Sequence, residues 1–231
     1  MIGEALRTEI EAYAARRREN PVFRAAEEGR LTRAMVKRYV ANVGYMVGIT
    51  PANLRRACER ARAKGDEKLA AYFAKKLREE TGHHLWAERD LEALSSTTLA
   101  VEQDCTVTAA IEELARYLEE TIDRDPALYL PYIAFAEYIT VIIGPEWLAL
   151  VEERCGTPRS AITIIDYHIE LDREHAEEAF ACIDDFVSDP KMLAPMREVL
   201  HRSLAYFDRF CAEVVDTAEA SDERVAHVSA A

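Results

Sequence analysis

Apolar positions recur along most of this chain at intervals of three and four, the spacing that places side chains on one face of an α-helix. Leu6, Ile10 and Tyr13 form such a stripe over residues 3–18, and Pro21 ends or offsets that helix. A short helix is predicted near 22–29. Met35, Tyr39, Val43 and Met46 mark a longer one over 32–49, and Thr50-Pro51 a joint, with Pro51 suited to the first turn of the next helix. Leu69, Tyr72, Phe73, Lys76, Leu77, Glu80, His83 and Ala87 keep one helical period over 66–94. This reads as a single long helix, weakest at Gly82 and closed by the Ser95–Thr98 cluster.

Ile111, Leu114 and Leu118 face inward in a helix over 105–123. Asp125-Pro126 begins another, ending near Gly144-Pro145, and a helix over 146–154 stops at Gly156. Helices over 160–186 and about 191–217 are separated by Ser188-Asp189-Pro190, and the small, polar tail 218–231 reads as disordered. The sum is an all-α protein: one domain over 1–217, a single bundle of seven to ten helices, with no repeat and no interdomain linker.

Composition agrees. Gly and Pro number eight each in 231 residues, and 49% of the chain is hydrophobic, enough for a sizeable core. The net charge of -13 argues against nucleic acid and anionic membrane surfaces as partners. Five scattered cysteines without a CxxC fit a reduced, cytoplasmic protein. The N-terminus has no apolar signal core. The most apolar run, Leu128 to Ile143, is shorter than the roughly 20 residues of a membrane span and contains Pro131 and Glu137, so it reads as a buried helix.

Three features carry chemistry. In the first, His168, Asp172 and His175 are four and three residues apart, so two imidazoles and a carboxylate share one helix face. Ile165 and Ala179 continue that stripe and turn it inward, where such groups are costly unless paired or bound to metal. The second is Glu79-Glu80-Thr81-Gly82-His83-His84, in which Glu80 and His83 could share one ion; Glu79 with His83, or Glu80 with His84, fits the spacing too. The third is Glu137, a lone carboxylate within Tyr132–Ile143 that needs a cation, a donor or a metal. Taken together, Glu80, His83, Glu137, His168, Asp172 and His175 supply three imidazoles and three carboxylates with no thiolate, a set suited to iron or manganese. Facing helices in bundle cores build dinuclear sites from such residues.

This pattern of Glu80-x-x-His83, an isolated Glu137 and His168-x3-Asp172-x2-His175 resembles the heme-oxygenase-like dinuclear iron oxidases and oxygenases, over roughly residues 30–215. The resemblance implies the compact helical fold also used by heme oxygenase, thiaminase II and pyrroloquinoline quinone synthase. It implies two iron ions and O2 as co-substrate. The substrate would be a small amino-acid-like or fatty-acid-like molecule, and the setting specialised metabolism. Related folds often pair, which leaves a homodimer open. Two departures stand out. Some members place a ligand carboxylate seven residues before the first histidine, where this chain has Lys76; others add one from the preceding helix, and Asn42–Ile49 has none. Lys76 is a candidate to pair with a substrate carboxylate or with Glu80. Tyr45, Phe135 and Tyr138, with Tyr39, Met46 and Tyr132, are candidates to line an apolar substrate pocket. The rival readings are a metal-free, thiaminase II-like or cofactor-biosynthesis enzyme using Cys155 or Cys182, and a non-enzymatic iron-binding module.

Overall fold

Thr32, Asp66 and Thr108 each turn a side-chain oxygen onto a backbone N–H three residues on, and each begins a helix. A computed structural model describes residues 1–95 and 106–229, with side chains as far as residue 217. Among the described residues the chain forms nine α-helices and no strand: α1 (Ile2–Ala15), α2 (Pro21–Glu27), α3 (Arg33–Ala63), α4 (Glu67–Glu80), α5 (His84–Ser95), α6 (Ala109–Arg124), α7 (Leu130–Cys155), α8 (Thr163–Phe186) and α9 (Leu193–Ser229).

The helices enclose one continuous core. α7 runs through it: apart from Glu137, no residue from Leu130 to Pro145 carries a charge, and apolar side chains point to every side of the helix. By length and composition Pro126–Cys155 could cross a membrane, but 67% of its apolar window is buried inside the bundle. α8 packs along α7, and α3 packs along α4 and α5. α4 reaches α7 and α8 through long side chains, with Lys76 Nζ 2.8 Å from Glu137 and Lys75 Nζ 2.5 Å from Glu178.

Four predicted boundaries differ from the structure. Pro51 lies inside α3 and Pro145 inside α7, with no break at either. An internal proline costs about 3 kcal/mol. Met46, Leu54 and Ala57 flank Pro51, and Ile143, Trp147 and Leu148 flank Pro145, all in the core. Their burial, at about 1.5–3 kcal/mol for each large apolar side chain, outweighs that cost. Conversely, the single helix predicted over 66–94 is two, because Gly82 adopts φ +98°, a conformation closed to most other residues. The last helix is helical in its backbone to Ser229, beyond the predicted end at 217; no Gly or Pro stands between 217 and 229 to stop it. The side chains of 218–231, expected to be a disordered tail, lie outside the described residues, as do Ser96–Thr98 and Cys105.

Candidate metal centre

α4 ends on Glu80, whose carboxylate is buried. The Thr81–His83 turn then brings the His83 imidazole back over it, Nδ1 3.1 Å from Glu80 Oε2. Trp86 stacks on that ring with centroids 4.2 Å apart and meets His168 edge-on, which fixes both planes. From α8, His168 approaches with Nε2 4.0 Å from the same Glu80 oxygen. Its Nδ1 lies 2.5 Å from the Ile164 carbonyl, so the Nδ1–H donates there and Nε2 is the nitrogen turned toward Glu80.

One turn further along α8, Asp172 is buried and His175 is half-buried. The His175 Nδ1 stands 3.4 Å from Asp172 Oδ1 and its Nε2 3.9 Å from Glu79 Oε2. Glu137 enters from α7. Two groups of ligand-type atoms result, each with all members within 4.8 Å of one another: Glu80, His83 and His168, and Glu80, Glu137 and His175. Glu80 belongs to both. Of the alternatives left open by spacing, the structure therefore brings Glu80 and His83 together, with Glu79 beside His175 and Lys75. Asp172 belongs to neither group; it faces His175 Nδ1 and lines the cavity.

Charge reflects this crowding. Burial opposes ionisation of Glu80, yet His168 and His83 hold its carboxyl well below the usual range. Burial drives Glu137 up to about 7 despite Lys76, and raises Asp172 as well. Burial works against the charged form of His168, but Glu80 outweighs it, and Asp172 raises His175. Glu137 Oε2, Glu79 Oε2 and His175 Nδ1 are buried with no hydrogen-bond partner. The unpaired Glu137 oxygen, in a residue of the second donor group, is what a bound cation would satisfy. The oxygen and imidazole donors fit iron.

Lys76 is only 1% exposed, and its ammonium bonds Glu137 and not Glu80, one of the two partners expected for it. A cavity of about 190 Å³ opens from this polar end. Lys76, Glu80, Glu137, His168 and Asp172 line it there, and aromatic and aliphatic side chains line the remainder, among them Phe23, Leu54, Ile139, Trp147 and Phe210. Phe135, Tyr39, Met46 and Tyr132 line it as expected. Tyr45 and Tyr138 do not. Tyr45 is 37% exposed, and Tyr138, three residues along α7 from Phe135, turns outward, where its hydroxyl donates to Glu11 and its ring packs on Phe180.

Sequence reasoning missed Asp90. It is 2% exposed on α5, and its two oxygens accept Thr163 Oγ1 at 2.6 Å and the Ile164 backbone N–H at 2.7 Å. It thereby caps the first turn of α8. The signal was present: Asp90 sits in register with Ala87 and Leu94, a carboxylate on an otherwise apolar stripe.

Solved structures share this fold. A domain of unknown function with a heme oxygenase-like fold from Shewanella denitrificans OS217 is 18% identical, with a TM-score of 0.81 over 94% of this chain and 93% of that one. A CADD-like protein of unknown function from Nostoc punctiforme PCC 73102 is 15% identical, TM-score 0.71, over 93% and 97%. A TenA homolog from Pseudomonas syringae pv. tomato str. DC3000 is 18% identical, TM-score 0.67, over 92% of each chain. At these identities the likeness shows the heme oxygenase-like fold alone. No curated protein matches the chain. The model of a family described as iron-containing redox enzymes matches residues 37–207, and the chain belongs to that family.

Proposed function

We propose that this protein is a dinuclear, non-heme iron enzyme that uses O2 to oxidise or oxygenate a small amino-acid-like or fatty-acid-like molecule in specialised metabolism. The observation that carries the reading is Glu80, which stands in two adjacent groups of metal-type donors at once. Glu80, His83 and His168 would hold one ion, and Glu80, Glu137 and His175 the other. When bound, the iron supplies redox chemistry with dioxygen that no side chain here provides.

The chain's own part is to bind, orient and exclude water. Trp86 locks the faces of His83 and His168. The Ile164 carbonyl holds the Nδ1 proton of His168, so the opposite nitrogen stays free for a metal. An apolar substrate portion would lie among Phe135, Ile139, Trp147 and their neighbours in the cavity, with its reacting end beside Glu137 and His168. The four described cysteines are free thiols, in keeping with a cytoplasmic enzyme.

A metal-free enzyme of the thiaminase II kind would need an activated thiol in the cavity. Among the described residues no cysteine lines it. Burial pushes Cys182 up to about 11 and raises Cys155, so neither is an activated nucleophile.

The test is anaerobic loading with ferrous iron, exposure to air, and oxygen uptake measured against a panel of fatty acids and amino acids. Uptake that needs both iron and one substrate class, and is lost in His168→Ala, is expected. Inactivation by iodoacetamide but not by a chelator would favour the thiol enzyme. Iron retained with no oxygen uptake under any substrate would favour a non-enzymatic iron-binding module.

A further inference from the structure

Lys76 carries a charge of the same sign as the expected metal and is bonded directly to one of the donor carboxylates. It stands on α4 one turn before Glu80, almost fully buried, with Nζ 2.8 Å from Glu137 Oε1. Glu137 is also the only contribution of α7 to the second donor group. One carboxylate is thus claimed by two cations, one of them built into the chain. Among the described residues the first group, Glu80, His83 and His168, has no such rival: its ionic contacts are among its own members.

Lys76 holds Oε1 and leaves Glu137 Oε2 unpaired, but an ammonium on one oxygen and a metal dication on the other would stand a few ångströms apart, and like charges that close repel strongly where water is excluded. A place for the ammonium to go is within reach. Glu178 Oε2 lies 4.0 Å from Lys76 Nζ, while the Oε1 of the same carboxylate accepts Lys75 at 2.5 Å. A lysine stem is long and flexible enough to make that short swing.

We propose that the Lys76 ammonium occupies Glu137 in place of the second metal ion and yields it by moving to Glu178, so that the two metal subsites fill in order. The Glu80–His83–His168 subsite fills first and tightly. The Glu80–Glu137–His175 subsite fills second and weakly, at a level set by the competition. This rests on the two-metal reading above and adds to it a device that makes the second ion conditional.

The experiment is an anaerobic calorimetric titration of the full chain with Co(II) at one fixed pH, with bound metal counted after desalting. The wild-type protein is expected to bind one equivalent tightly and a second more weakly. Lys76→Met is expected to tighten the second step on the order of 10- to 100-fold, the range over which a ligand's neighbour moves metal affinity, and to leave the first unchanged. Glu178→Gln is expected to weaken the second step while Lys76 is present and to have no effect in the Lys76→Met background. Glu178 is half-exposed, so that arm stands even if Lys76→Met fails to fold. Two equivalents bound with one affinity, or a second step indifferent to Lys76→Met or to Glu178→Gln, overturns the proposal while leaving the two-metal site intact. A wild-type chain that takes up no Co(II) removes both.

Discussion

The Asp90 carboxylate of α5 accepts the backbone N–H of Ile164 at 2.7 Å, and the carbonyl of that same Ile164 lies 2.5 Å from the Nδ1 of His168. One buried acid therefore caps α8 and, through a single residue, sets the ring that faces Glu80. The helix bearing His168, Asp172 and His175 is registered against the Thr81–His83 turn by this link.

Asp90→Ala leaves the Thr163 hydroxyl and the Ile164 N–H without their acceptor. Loss of a buried cap and its hydrogen bonds costs about 1–3 kcal/mol. A lower urea midpoint is expected, together with weaker binding of the first metal equivalent. Asp90→Asn keeps one acceptor and should fall between. An Asp90→Ala protein whose metal affinity equals the wild type's would detach this cap from the site.

Glu80 and Glu137 should differ in what their loss removes. Glu80→Ala deletes a donor common to both groups and is expected to abolish metal uptake. Glu137→Gln deletes a donor from one group and should leave a single equivalent. Metal counting by atomic emission decides between them; equal losses in the two variants would contradict a shared Glu80.

Stability of the metal-free protein should fall as pH rises from about 5 to 8. Burial drives Glu137 up to about 7 and also raises Asp172, so the folded state holds protons that unfolded carboxyls have already released. His168 and His175 are raised too; their contribution is complete below about 6.5 and is lost as pH climbs through their folded values. Glu80 acts in the opposite sense, but only at strongly acid pH, because its folded value lies well below the carboxylate range. A decline on the order of 1–3 kcal/mol in urea unfolding is expected across this interval, smaller in Glu137→Gln. A profile that rises with pH would refute the assignment of these groups.

Two glycines govern how the His83 turn is presented. A Cβ on Gly44 would stand 2.5 Å from the Cβ of Ala87, which forces α3 and α5 apart. Gly82 has open space around it but a φ of +98°. Gly44→Ala should therefore destabilise by about 1–3 kcal/mol through overpacking. Gly82→Ala should cost about 1–2 kcal/mol through its backbone alone. Both should weaken the first metal step, since both move His83. Thermal unfolding with and without Co(II) separates the two effects.

The pattern of residues by itself determined that this is a helical bundle, because three-and-four periodicity is a local property and survives any arrangement of neighbours. It also singled out Glu80, His83, Glu137, His168, Asp172 and His175, since a carboxylate or imidazole on an inward face is conspicuous in one dimension. Only the tertiary structure decided where helices end. Pro51 and Pro145 do not break theirs, because core contacts on both sides outweigh a local penalty, while the chain does leave the helix at Thr81, which is extended, and Gly82, which takes φ +98°. Only the tertiary structure paired Lys76 with Glu137, turned Tyr138 out to Glu11, and tied Asp90 to α8. These are contacts between residues some 60 to 130 positions apart, whose partners depend on how separate helices are rotated and spaced, and helical period along one segment carries no information about that.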